Sequence, residues 1–257
     1  MLEDGSNEKC RNMELTLEKH IANSAGLKSS AEAFVAPNWE HPVFFGLSRE
    51  IPQLVSLTTW PDLEFFNHLA ADRNLKLPDG RPITFVHQAK KPSRWRRRKE
   101  AKMRYEESVL VQAIIPSRLA SWHDFFNNIS WLVFPHAKLA LVERLAAANA
   151  NRTAYDLERA QFRSREGDRL AMLDEGGLLN LTGTSRYLIF GHALQESFIG
   201  KNLDVWSLTL PLPINVSDET ELLKEADRHL AALIRSGFFA AETPGFASTC
   251  LRDIAEV

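Results

Sequence analysis

Between Ser121 and Leu145 the chain reads as two amphipathic helices separated by a single proline. Trp122, Phe125, Phe126, Ile129, Leu132 and Val133 recur at helical spacing, and Leu139, Val142 and Leu145 resume the pattern beyond Pro135. Pro135 lacks an N–H and collides with the preceding turn, so it should interrupt the helix. Ser121 and Asp124 fit a capping box, in which a hydroxyl and an N3 acid satisfy orphan N–H groups. A stripe this aromatic must be covered by other elements, and 257 residues suffice to build a core around it. With 44% hydrophobic and 25% charged residues, the chain is neither collagen-like, disordered nor a disulfide scaffold.

The remaining elements are shorter. Pro61 opens a helix through about Asp72, and the turn at 78–82 leads into the strand ITFVHQ. Residues 168–182, with DEGG at their centre, read as a hairpin turning at 174–177. Residues 186–199 read as a helix stopped by Gly200, VWSLTLPL as a strand, and 218–235 as the last strong helix. Thr153 and Asp156 resemble another capping box, and one helix fits the first thirty residues. The expected class is α+β, predominantly helical, with short antiparallel strands in one compact domain. We expect an N-terminal extension at 1–36, the domain proper at 37–240 with a basic insertion at 90–104, and a tail at 241–257.

Five blocks carry a resemblance: WPDLEFFNHLA (60–70), GRPITFVHQ (80–88), IPSRLASWHDFFNNISWLVFPHAKLAL (115–141), GDRLAMLDEGG (167–177) and FGHALQE (190–196). In this order they resemble a bacterial domain-of-unknown-function family, number 3025. The family pattern has Thr-Arg where this chain has Ser117 and Arg118, and FPRTK where it has Phe134, Pro135, His136, Ala137 and Lys138. The basic run is not part of that pattern. The resemblance implies a family and no activity.

Two constellations could carry chemistry. His192 and Glu196 are i, i+4 on one expected helix, and His123 with Asn127 repeats the spacing on another. Polar side chains within apolar stripes are costly to bury unless they pair or bind something. His123, His192 and Glu196 are therefore candidate ligands for zinc, iron or manganese, with Asp168 or Asp174 as candidate general bases and Glu175 as a further carboxylate. A metal-dependent hydrolase or related metalloenzyme follows from that reading. The bland alternative is a structural His–Glu hydrogen bond, with Asp124 serving only its cap and Asp174 and Glu175 only a turn. No H-E-x-x-H, P-loop, G-x-S-x-G or dinucleotide fingerprint occurs.

The other constellation is the run 90–104, nine basic residues against one acid in a chain of net charge −2. Arg94, Trp95, Arg96, Arg97, Arg98 and Lys99 form its centre and suit nucleic acid, another polyanion or an acidic lipid surface, with Trp95 available to stack. A solvated charge run is the plain alternative, and a protein–protein adaptor without chemistry is the third reading. The two cysteines, Cys10 and Cys250, and the polar N-terminus fit a cytoplasmic protein, and no stretch reaches the roughly 18 apolar residues of a membrane span.

Overall fold

The computed structural model describes residues 34–88, 104–150, 164–182, 186–214, 216, 218–241 and 247–255. The expected N-terminal helix, the capping signal at Thr153 and the basic run as far as residue 103, Arg94 to Lys99 included, lie outside them. The helices are α1 (Leu47–Glu50), α2 (Leu63–Asp72), α3 (Tyr105–Gln112), α4 (Trp122–Val133) and α5 (Pro135–Ala150). After them come α6 (Arg165–Gly176), α7 (His192–Ile199), α8 (Glu219–Arg235) and α9 (Leu251–Ala255). The strands are β1 (Thr84–His87), β2 (Ile114–Ser117), β3 (Gly177–Leu181), β4 (Tyr187–Ile189), β5 (Trp206–Leu212) and β6 (Ala247–Cys250). The architecture is α+β and mostly helical. No helix among the described residues is long and apolar enough to cross a membrane.

The break at Pro135 is real: α4 ends at Val133 and α5 begins at the proline itself. The N–H groups freed there are taken by α8, whose Asp227 carboxylate accepts from His136 N at 3.1 Å and Ala137 N at 2.7 Å. Asp227 is buried, so this cap also pins α5 to α8. The aromatic stripe of α4 is covered by the irregular segment before α2. Phe44 stacks on Phe126 at 5.8 Å, and Trp60 meets Trp122 at 4.5 Å.

Two sheets complete the fold. β1 and β2 pair in parallel, Thr84 opposite Ile114 and His87 opposite Ser117. The larger sheet runs β4-β3-β5-β6, with β3 parallel to β5 and the outer pairings antiparallel. The parallel pairings depart from the expected antiparallel pattern. In each, a helix (α3 or α7) lies in the connection, as parallel strands require. Nor is 168–182 a hairpin. Leu170 and Leu173, three apart, both point fully into the core and carry α6 through Gly176, so their burial outweighs the turn chemistry of DEGG. The helix expected at 186–199 begins only at His192, because Tyr187–Ile189 is claimed by β3 as a partner strand. Within 241–257, expected as a tail, β6 pairs with β5, and α9 buries Leu251 and Ile254.

Candidate metal centre

Three helices deliver the site. His123 is the second residue of α4, His192 the first of α7, and Asp174 and Glu175 lie in the last turn of α6. α4 packs on α7, and α6 packs on α7. The junction of α6 and α7 is set by glycine. Phe190 N and Gly191 N both donate to Gly177 O, at 3.0 and 2.9 Å. A Cβ on Gly191 would lie 2.2 Å from Gly177 N and 2.6 Å from Glu175 O. Only a residue without a side chain allows that approach, which brings His192 beside Glu175.

His123 Nε2 and His192 Nε2 face each other at 3.2 Å. Glu175 Oε2 lies 3.9 Å from His192 Nε2, and one ligand atom from each of His123, Glu175 and His192 falls within 4.8 Å of the others. The opposite nitrogens face carboxylates. Nδ1 of His123 meets Glu196 Oε2 at 2.9 Å, and Nδ1 of His192 faces Asp174 Oδ1 at 3.9 Å. His192 is only 3% exposed, and burial pushes its pKa down to about 3 against the opposing pull of Asp174. It is therefore neutral, with a lone pair to offer, at any physiological pH.

Nδ1 of His192 is buried and has no hydrogen-bond partner among the described residues, although the Asp174 carboxylate stands 3.9 Å from it.

Asp174 is held from behind. Lys138 of α5, fully buried, donates to Asp174 Oδ1 at 2.5 Å and to Asn127 Oδ1 at 2.7 Å, with Trp131 and Phe190 rings 5.8 and 5.9 Å from its Nζ. Burial would raise the Asp174 carboxyl, but Lys138 together with the neighbouring His192 and His123 outweighs it and holds the group below the usual carboxylate range. Glu175 is shifted the other way, up, by burial and by the negative charges of Asp174 and Glu196. Tyr105, whose hydroxyl accepts from Trp131 Nε1 at 2.8 Å, is raised by burial.

Tyr105, His123, Asn127, Asp174, Glu175 and His192 line a cleft of about 320 Å³, which is also lined by Gln88 and Arg118, the residues following β1 and β2. Asp124 does not complete the capping box. Its N–H takes the Ser121 hydroxyl at 3.4 Å, but its carboxylate turns to Arg118, accepting from the backbone N at 2.7 Å and from Nε and Nη2 at 2.6 and 3.0 Å.

Of the expected site residues, the structure brings together His123, His192, Glu196 and Asp174. Glu196 stands on the outer nitrogen of His123 and not between the rings, and Asp174 is engaged by Lys138. Asp168, two turns earlier on α6, is exposed and does not line the cleft. Glu175, which the sequence offers only as an extra carboxylate at a turn, takes the place facing both rings. Lys138 escaped sequence reasoning, although it closes the FPHAK block, because its neighbours Ala137 and Leu139 make it look like the edge of an apolar stripe.

A mostly helical α+β fold with a His/carboxylate cluster at a helix junction thus defines the class of molecule. Residues 83–185 match the family described as protein of unknown function (DUF3025), the family that the sequence blocks resemble. No curated protein and no solved structure matches the chain.

Proposed function

We propose that His123 Nε2, His192 Nε2 and Glu175 hold one divalent transition-metal ion, and that the cleft around it is the active site of a metal-dependent hydrolase. The observation that carries this reading is the pair of Nε2 atoms at 3.2 Å, each on a ring whose other nitrogen faces a carboxylate. Two nitrogens about 2.0 Å from a tetrahedral zinc ion stand about 3.3 Å apart. Charge supports the same reading. Asp174, Glu175 and Glu196 set three carboxylates around the two imidazoles, with the ammonium of Lys138 on Asp174, and a divalent cation would offset the excess of negative charge. Three protein ligands leave a position toward the cleft, and an ion so held lowers the pKa of bound water to about 7. Glu196 and Asp174 then orient the two rings, as carboxylates behind ligating imidazoles do.

The test is elemental analysis of the protein purified without a metal-affinity step, as wild type, His123→Gln and His192→Gln. Near-stoichiometric zinc, iron or manganese that disappears in folded variants supports the reading. A wild-type protein that takes up no metal after incubation with zinc overturns it. Hydrolysis of ester and phosphoester probes that stops on chelation and returns with metal would establish the reaction class.

Anion binding by the run 90–104 is a second reading, favoured by one observation: Gln88 and Tyr105, on either side of the run, both line the cleft. Neutralising Arg96, Arg97 and Arg98 should weaken binding to a polyanion and flatten its salt dependence. Unchanged affinity would remove this reading.

A further inference from the structure

We infer that Arg118 is the docking point for an oxyanion of the substrate, a phosphate or a carboxylate, beside the metal centre. That the oxyanion belongs to a substrate rests on the metal reading above; the geometry of Arg118 is independent of it. Arg118 is the one lysine or arginine among the described residues that line the cleft. Its side chain is 54% exposed, yet it is not free to wander. Backbone N, Nε and Nη2 all donate to the carboxylate of Asp124, at 2.7, 2.6 and 3.0 Å. Asp124 is itself almost buried and belongs to the same helical turn as His123.

That arrangement uses one edge of the guanidinium and leaves the other. Among the described residues nothing accepts from Nη1, so its two N–H groups and the remaining N–H of Nη2 form an open fork. A planar fork of this kind matches two oxygens of a carboxylate or phosphate. An arginine left exposed normally loses much side-chain freedom when it grips a ligand; here Asp124 has already fixed it, so the fork is preorganised. Gln88 and Arg118 follow the carboxyl ends of the parallel strands β1 and β2, so both stand at the same end of that pair and both line the cleft.

The experiment titrates inorganic phosphate, and separately acetate, into the full chain with and without one equivalent of zinc. It compares wild type with Arg118→Gln and Arg118→Lys, and zinc affinity is measured in parallel. We expect at least one of the two anions to bind wild type, with at least a tenfold loss of affinity in R118Q, a partial loss in R118K because lysine has no fork, and unchanged zinc affinity in both. Preference for phosphate assigns a phosphate ester as substrate, and preference for acetate a carboxylate. R118K keeps a cation on Asp124 and so controls for damage to the fold. Wild type that binds neither anion, or an R118Q that binds as wild type does, overturns the inference. If wild type takes up no zinc the metal reading fails instead, and the zinc-free titrations still decide whether Arg118 grips an oxyanion.

Discussion

Nε2 of His123 and Nε2 of His192 lie 3.2 Å apart although the two residues are 69 positions apart in the chain. The approach is not a chance contact of two surface rings, because each ring is fixed by its own helix terminus and backed by its own carboxylate. Everything specific about the site follows from how that pair is held.

The carboxylate on His123 should matter to the ion and little to the fold. Glu196 is 43% exposed and touches the imidazole from outside. Glu196→Gln is expected to lower zinc affinity by about 10- to 100-fold, the usual cost of losing a carboxylate behind a ligating histidine. The thermal midpoint should stay within a degree or two. Competition with a chromophoric chelator reads the affinity, and an unchanged value would mean that Glu196 does not orient the ring.

Gly191 makes the opposite case, where fold and site fail together. Its added methyl would meet backbone atoms of Gly176 and Gly177, which cannot swing aside as a flexible side chain could. Gly191→Ala should cost roughly 1–3 kcal/mol in urea unfolding, as overpacking does, and should also reduce metal uptake by moving α7 from α6. A G191A protein with wild-type stability and metal content would show that the junction is more compliant than its geometry indicates.

The buried ammonium gives a third test. Lys138→Met leaves Asp174 without its counter-charge beneath the site, and removing one partner of a buried pair costs about 3–5 kcal/mol. The double variant K138M/D174N should recover a good part of that loss. Chemical denaturation of the four proteins completes the cycle, and a single K138M as stable as wild type would contradict the pairing.

Much of the fold is legible in the sequence, and what is not has local causes. The apolar face of α8 and the Ser121 cap with the proline break of α4 and α5 are strong periodic signals, and the structure follows them. The region from 168 to 190 is harder. There DEGG carries turn chemistry while Leu170 and Leu173 carry helix burial, and local sequence cannot weigh a turn preference against a core that it does not yet know. The parallel pairing of β3 with β5 is likewise set by packing over some thirty residues. In the site, the i, i+4 polar pairs pointed to His123, His192 and Glu196. Glu175 was obscured by the same DEGG signal that hid the end of α6, and Lys138 by its apolar neighbours.

Alkaline pH probes the wall of the cleft. The Tyr105 phenol is raised above its ordinary value near 10 by burial. The folded state therefore keeps a proton that the unfolded state releases. The stability so contributed is fully present below pH 10 and is lost as pH rises above it. Wild type and Tyr105→Phe should differ below pH 10 by the hydrogen bond to Trp131, and the difference should shrink above it by up to about 1.4 kcal/mol per pH unit. A gap constant to pH 11.5 in denaturation experiments would mean that the phenol ionises in the folded state as readily as in the unfolded one.

Asn67 on α2 has a quieter consequence. Its amide donates to Phe85 O at 3.0 Å and accepts from Phe85 N at 2.7 Å, so one side chain takes both backbone groups that Phe85 turns to the outward edge of β1. A two-stranded sheet would otherwise present that edge as a template to any extended segment, including the same strand of a second molecule. By imitating the backbone of a third strand, Asn67 makes the sheet end where it does. Replacing it would expose the protein to edge-to-edge self-association at high concentration before it disturbed the cleft.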